Sequence, residues 1–245
     1  CIRDSYYCAR HEGRWAIFVT KEEDGRWRTP RPMAFTSDFT DRDLTISPDG
    51  SRIYFGSDRP RERGGPRLER LDVVYTERTP DGHWSDPVNV GPAVNTYAGE
   101  NYPSVAANGN LYFFSCRDDG LGGCDLYRAE WTDSRLEDAV NLGSDVNRAR
   151  NDWDAYVSPD ESYLIFSSQE LHDNLGGQDH YISYRRDDGT WTPARNMGPR
   201  VNSESGEICP AVTLDGRYLL FTSRRRGGQA DIYWMSADII EELRP

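Results

Sequence analysis

Ser158-Pro159-Asp160-Glu161, running into Tyr163-Leu164-Ile165-Phe166, is one of four copies of a single pattern in this chain. The others are Ile46-Ser47-Pro48-Asp49-Gly50 into Ile53-Tyr54-Phe55, Ala107-Asn108-Gly109 into Leu111-Tyr112-Phe113-Phe114, and Leu214-Asp215-Gly216 into Tyr218-Leu219-Leu220-Phe221. Each turn leads into a short aromatic strand, then a Gly-rich loop, then an Asp and another strand. Self-similarity at a spacing of about 50 residues marks a propeller or a solenoid. Residues that recur in every copy are therefore read as structural, and function is sought where one copy departs from the rest.

Each unit divides into four strands, a to d. In the copy from about Asp152, strand a is Ala155-Tyr156-Val157, strand b runs from Tyr163 to Ser167, and strand c is Tyr181-Ile182-Ser183-Tyr184. Asp188-Gly189 then turns into strand d at Trp191, and Asp-Gly between alternating segments is a strong hairpin signal. Gly-x-Trp repeats at Trp27, Trp84 and Trp191. Asn89-Val90-Gly91, Asn141-Leu142-Gly143 and Asn196-Met197-Gly198 follow, each succeeded by Val-Asn, and are read as positive-φ turns linking blades. The first unit has only b (Ser5 to Cys8), c (Ala16 to Thr20) and d; the last has a, b and c and ends in a helical tail, Ala237 to Leu243. The expectation is an all-β, five-bladed β-propeller in one domain, with blades at about 1–40, 41–98, 99–150, 151–205 and 206–245. A closed ring is preferred, since an open array would leave exposed sheet edges.

Ser-Pro-Asp-Gly, Leu-x-Phe-x-Ser, Gly-Gly-x-Asp-x-Tyr and Trp-x-x-Pro-x-Asn-x-Gly together cover nearly the whole chain and resemble the WD40-like propeller repeats of the TolB family. The resemblance implies the fold. It does not imply an activity, because that family includes periplasmic scaffold and peptidoglycan-associated members, and similar propellers serve as enzymes.

A net charge of −12 over 245 residues argues against nucleic acid and anionic membranes as partners. Cations, small molecules, glycans and protein segments remain open. No run approaches the roughly 18 apolar residues that a membrane-spanning helix needs. The opening has neither Met nor a signal-like apolar core, which points to a native start upstream; Cys1 as a lipidated residue is the lesser reading. Cys116 and Cys124 flank a hairpin loop where a disulfide is sterically natural, and one would imply an oxidising compartment, periplasmic or secreted.

Asp72, Asp125, Asp179 and Asp231 open strand c in four units and are expected to anchor the Gly-rich loop through backbone N–H groups. Arg59, Arg117 and Arg224 are expected to pair with them. A second acidic column, Asp41, Glu100, Asp152 and Glu207, starts strand a, the innermost strand of a blade. These carboxylates either ring the channel mouth and hold a divalent cation, calcium first for an oxygen-rich site, or bond the neighbouring blade. Two residues on, and on the same side by the strand period, the copies vary: Asp43, Tyr102, Asp154 and Cys209. Asp43 and Asp154 are candidate bases or ligands, Tyr102 a donor to substrate, and Cys209 a soft ligand or simply a small buried residue. His11, His172 and His180 lie at the same end of the blades and with the carboxylates would suit a transition metal. No nucleophile elbow or phosphate loop appears.

The first functional reading is a noncatalytic binding module with an acidic mouth, where Tyr102, Trp131 and Trp153 face a cation, glycan or protein segment. The second is a metal-dependent hydrolase of phosphotriesters, esters or lactones. The third is a glycosidase with paired channel carboxylates.

Overall fold

The computed structural model describes residues 3–169 and 173–245; Cys1 and His172 lie outside the described residues. Five antiparallel sheets follow one another along the chain as the blades of a β-propeller. Blades 2 and 4 are complete: Asp41–Ile46, Arg52–Ser57, Asp72–Glu77 and Val88–Asn89, then Asp152–Val157, Tyr163–Ser168, Asp179–Tyr184 and Arg195–Asn196. Blade 3, built of Glu100–Val105, Leu111–Ser115, Asp125–Ala129 and Val140–Asn141, carries an extra hairpin, Trp131–Thr132 with Arg135–Leu136, between its third and fourth strands. Blade 5 has Glu207–Val212, Tyr218–Ser223 and Asp231–Ser236, and the chain then turns into the helix Asp238–Glu242.

Blade 1 comprises Arg3–His11, Arg14–Glu23, Arg26–Trp27 and Arg31–Pro32. Its register identifies these as b, c and d. Tyr7 opposes Phe18 as Phe55 opposes Val74, and Phe18 opposes Pro32 as Val74 opposes Asn89. No strand a precedes them among the described residues.

The recurrent turn works through a hydroxyl and an aspartate. Ser47 Oγ donates to Asp49 (2.5 Å) and accepts the Arg52 N–H (2.9 Å), closing the a–b corner. Ser158 and Asp160 repeat this, and so do Thr213 and Asp215. Where the third copy reads Glu161 in place of Gly, that side chain is 5% exposed and accepts from Asn110 (2.9 Å) and Tyr112 (2.6 Å) of the preceding blade. This departure serves packing.

Two of the strand-c aspartates anchor their loops through backbone N–H groups as expected. Asp179 accepts from the Leu175 N–H (2.7 Å) and the Gly176 N–H (3.2 Å), and Asp125 from the Leu121 and Gly122 N–H groups. Asp72 uses a guanidinium instead, with Arg61 Nε at 2.7 Å and Nη2 at 2.9 Å. Asp231 departs from them: it is exposed and meets no such partner among the described residues.

Core side chains pack face to face between blades. Ile17 and Phe35 meet Phe55 and Val74; Tyr54 and Val73 meet Phe113 and Tyr127; Tyr112 and Leu126 meet Phe166 and Tyr181; Ile165 and Ile182 meet Leu219 and Phe221. Each aromatic so buried contributes roughly 2–3 kcal/mol of transfer free energy. The C-terminal helix adds Ile239 and Ile240 to the last cluster. Among the described residues, no fifth cluster joins blade 5 to blade 1.

Candidate functional site in the central channel

Strand a of blades 2 to 5 lines the axis, and each carries the same irregularity. In blade 2 the pairing skips between Arg42 and Thr45, so that two residues oppose one on strand b. The same skip occurs between Asn101 and Ser104, between Trp153 and Tyr156, and between Ile208 and Ala211. The first bulged residue is left-handed every time: Asp43 (φ 55°), Tyr102 (φ 53°), Asp154 (φ 53°) and Cys209 (φ 60°). Glycine takes this conformation without strain, yet no copy uses it.

The bulge separates two columns that simple alternation puts on one side. Asp41 is fully buried: Ser57 Oγ of strand b donates to it at 2.8 Å, Arg59 Nη1 and Nη2 of the b–c loop each at 2.8 Å, and the same guanidinium ties it to the preceding linker by donating to the Phe35 carbonyl. Glu100 accepts from the Thr96 N–H (2.7 Å), Thr96 Oγ1 (2.6 Å), Ser115 Oγ (2.7 Å) and Arg117 (3.3 Å). Glu207 accepts from the Ser203 N–H, Ser203 Oγ, Ser223 Oγ and Arg225 in the same geometry. The loop arginines therefore serve strand a, where pairing with strand c was expected, and in blade 5 the partner is Arg225 where Arg224 was expected. Asp152 differs, accepting the Arg148 N–H at 2.6 Å with no arginine ion pair among the described residues; burial lifts its carboxyl to about 6.

Asp43, by contrast, reaches toward the next blade, accepting from Asn101 Nδ2 at 2.5 Å and pairing with Arg42 Nε at 3.3 Å. Asp154 likewise accepts the Cys209 N–H of the following blade at 3.3 Å. Both sit deep in the ring yet keep partial solvent exposure, as do Tyr102 and Cys209. Burial pushes the Asp154 carboxyl up to about 7, with the Asp43 charge adding to it, and burial also raises Asp43. Cys209 and Tyr102 are raised by burial too, each within reach of the Asp154 charge. Cys8, on strand b of blade 1, is pushed up to about 11 by burial and by the Asp43 charge, which places it beside the same group. The channel thus brings together the two candidate aspartates, the phenol and two thiols. The second column lies where the sequence pattern sought specialisation.

The histidines do not gather there. His180 is fully buried between blades 4 and 5, its ring edge-on to Phe221, and burial depresses it to about 3, so it is neutral. Ser167 Oγ lies 3.3 Å from His180 Nδ1 and 3.5 Å from Asp154, but Ser167 is itself fully buried. His11 stands at the blade 1 hairpin, edge-on to Phe18. Among the described residues, no three His, Cys, Asp or Glu side chains are grouped to hold a metal ion. Trp131 is also away from the b–c loop mouth, packed over Gly109 at an a–b turn, with Arg52 5.0 Å from its ring.

At the b–c loop end the channel opens into a cavity of about 430 Å³ lined by Trp15, Arg42, Arg70, Asn101 and Phe114, among others. Its acidic residues are partly spent: Asp58 is held by Arg67 (2.6 Å) and Glu100 by the groups above. Arg70 makes no ion pair among the described residues. The neighbouring Cys116–Cys124 disulfide, with Cα atoms 4.0 Å apart, fixes one wall, while Cys8 and Cys209 are free thiols. Trp15 and Asn101 were not singled out from the sequence. The signal for Asn101 was available, because Pro103 and Pro210 cannot donate to a ladder and mid-strand prolines mark bulges.

No protein-family model matches the chain, and no curated protein does. Solved structures do match. TolB from Acinetobacter baumannii superposes with a TM-score of 0.63 at 12% identity, over 96% of this chain and 50% of that one. A TolB-type protein from Agrobacterium tumefaciens gives 0.59 at 14%, over 97% and 78%. An exo-1,5-α-L-arabinanase from a bovine ruminal metagenomic library gives 0.55 at 12%, over 94% and 91%. The chain spans half the length of the first of these. The fold is that of a TolB-like propeller, and at these identities the likeness concerns fold alone. No helix among the described residues is long and apolar enough to cross a membrane.

Proposed function

We propose that the protein is a noncatalytic propeller module that binds a polar ligand, a glycan or a short protein segment at the b–c loop mouth of its channel. The observation that carries this is the division of labour on strand a. The first column is spent on backbone, serine and arginine, while strained, partly wetted side chains lead from the axis into a cavity walled by Trp15 and Phe114. Aromatic walls beside Arg42 and Arg70 suit a flat or hydroxyl-rich ligand with an anionic group. A cation in this reading would rest on Asp43 and Asp154, with water or ligand oxygens completing the six to eight that calcium takes. The disulfide supports an oxidising setting, periplasmic or secreted.

The test is titration of neutral oligosaccharides, uronic-acid oligosaccharides and short acidic peptides, with and without calcium, followed by tryptophan fluorescence. Saturable binding weakened about tenfold in Trp15→Ala and Arg70→Ala is expected, about 1.4 kcal/mol. Binding indifferent to both substitutions would place the ligand elsewhere and sink the proposal.

One observation favours a second reading, a hydrolase. A carboxyl held at about 7 beside a second carboxylate is poised to give or take a proton near neutrality. Turnover of an aryl glycoside, lactone or phosphotriester that disappears in Asp154→Ala would establish it over the binding module.

A further inference from the structure

The turn from strand c toward strand d lies beside the last strand of the preceding blade, and blade 3 makes this turn differently from blades 2 and 4. Arg78, Trp131 and Arg185 hold one position, each six residues after the aspartate that opens strand c. In blades 2 and 4 the arginine bridges the tryptophan of Gly-x-Trp, Arg78 with Trp84 and Arg185 with Trp191. In blade 3 the pair is Trp131 with Leu136. The indole has moved to the arginine's place, and a leucine stands where the other copies have tryptophan. Trp84, Leu136 and Trp191 all lie against the core cluster that joins their blade to the one before, so the exchange alters what fills equivalent clefts. Between blades 1 and 2, with Trp84 in the wall, the cavity is about 380 Å³, and between blades 3 and 4, with Trp191, about 340 Å³. Between blades 2 and 3 it is about 560 Å³.

The hairpin that forms this larger cleft is fixed at both ends. Asp133 and Ser134 at its tip are both left-handed (φ 48° and 66°), as a two-residue turn between twisted strands requires. The Trp131 N–H donates to Asn110 Oδ1 (2.9 Å), and the Ala139 N–H donates to the Ala93 carbonyl of the preceding linker (3.0 Å). The indole lies on Gly109, where a Cβ would come within 2.8 Å of it. In the cleft wall Arg52 is 5.0 Å from the Trp131 ring and 5.1 Å from the Tyr75 ring, held by Glu77 at 2.8 Å and by Tyr54 Oη at 3.3 Å. Its Nη1 keeps a second N–H to give. Asp138 also lines the cavity, is exposed, and makes no ion pair among the described residues.

We propose that the cleft between blades 2 and 3 is a second binding site, for a neutral sugar ring. In its lining Arg52 and Arg135 are matched by Glu137 and Asp138, so neither anions nor cations are favoured as a class. A pyranose satisfies both kinds of surface. Its C–H face packs on Trp131, Tyr75 and Leu136, while its hydroxyls, donor and acceptor at once, meet an arginine N–H and a carboxylate. A cavity of this size suits a mono- or disaccharide. None of its lining residues is shared with the cavity at the channel mouth, so either assignment can fail alone.

Methyl glucoside, methyl N-acetylglucosaminide and cellobiose test it, each titrated against the tryptophan indole N–H signals in NMR spectra of the whole chain. Saturable binding in the millimolar range is expected to shift the indole signal that Trp131→Phe deletes. Affinity should fall about tenfold in Asp138→Asn, an exposed and unpaired position where folding is not at stake. Leu136→Trp gives blade 3 the residue that blades 2 and 4 carry, and should refill the cleft and abolish binding. Trp15→Ala and Arg70→Ala, at the mouth, should leave binding unchanged. No shift at tens of millimolar sugar, a response that survives both cleft substitutions, or one lost in Trp15→Ala overturns the proposal. So does a proline-rich peptide that shifts the Trp131 signal where no sugar does, because the aromatic wall would then serve a polyproline segment.

Discussion

Asp41, Glu100, Asp152 and Glu207 begin the four inner strands, and Asp43, Tyr102, Asp154 and Cys209 follow two residues later. The first set is fully buried and carboxylate in every copy; Asp41, Glu100 and Glu207 bond a strand-b serine of their own blade, and Glu100, Asp152 and Glu207 accept a backbone N–H from the linker before them. The second is partly wetted, left-handed in every copy and different in chemistry from blade to blade. Neighbours on one strand have thus been put to separate uses, and a single bulge divides them. Sameness across copies reports what the fold requires. Strain held in place without a common side chain reports what the fold leaves free.

The largest effect should come from breaking the first column. In Glu207→Ala, Arg225 and the Ser203 and Ser223 hydroxyls lose a shared acceptor in a fully buried position. Removing one partner of a buried ion pair costs about 3–5 kcal/mol, and urea denaturation should show a loss of that order. Asp152→Ala should cost visibly less, since no arginine is stranded by it among the described residues. Equal losses would mean that the guanidinium contributes little and that the carboxylate–backbone bond alone sets the anchor.

The pH dependence should separate the second column from the first. A carboxyl at about 7 in the folded ring and near 3.9 in the unfolded chain binds its proton more tightly when folded. Its contribution to stability is therefore full below about pH 4 and is lost as pH rises through 7. The pKa difference sets a ceiling of about 4 kcal/mol, which the partial exposure of the side chain reduces to roughly 1–2 kcal/mol. Relative to Asp154→Asn, the unsubstituted protein should lose stability between about pH 4 and 7 and level off above that range. Parallel stability curves across that range would show Asp154 to be solvated like a surface carboxylate.

Most of the architecture was legible because its determinants are local. Ser158-Pro159-Asp160 announces a corner whose bonds span five residues, and Asp179 needs only the loop beside it to act as anchor. The Cys116–Cys124 bridge spans one hairpin. What escaped reading depended on register. Arg224 and Arg225 are adjacent in a run of three arginines, and only the strand's end decides which one faces Glu207. The bulge hid for a related reason: a left-handed bulge position is usually written as Gly, and here it is written Asp, Tyr, Asp and Cys. Alternation then carried Asp43 to the wrong side of its strand. Trp15 joins the mouth cavity only through the packing of blade 1 against blade 2, which no local pattern encodes.

The smallest effect tests the bulge itself. In an ordinary strand Ala is better than Gly by roughly 0.5–1 kcal/mol, because Gly loses more chain entropy on folding. At position 102 the ranking should invert. Both Tyr102→Gly and Tyr102→Ala delete the same ring, but only Ala retains a Cβ at φ 53°, a conformation that costs L-residues about 1–2 kcal/mol. Tyr102→Gly should therefore be more stable than Tyr102→Ala by a few tenths to about 1 kcal/mol, read from paired urea titrations. The same pair at Ser104, beyond the bulge on the same strand, should keep the ordinary order. Should Ala win at both positions, the left-handed kink is not intrinsic to the strand and is imposed by the tyrosine ring in the channel.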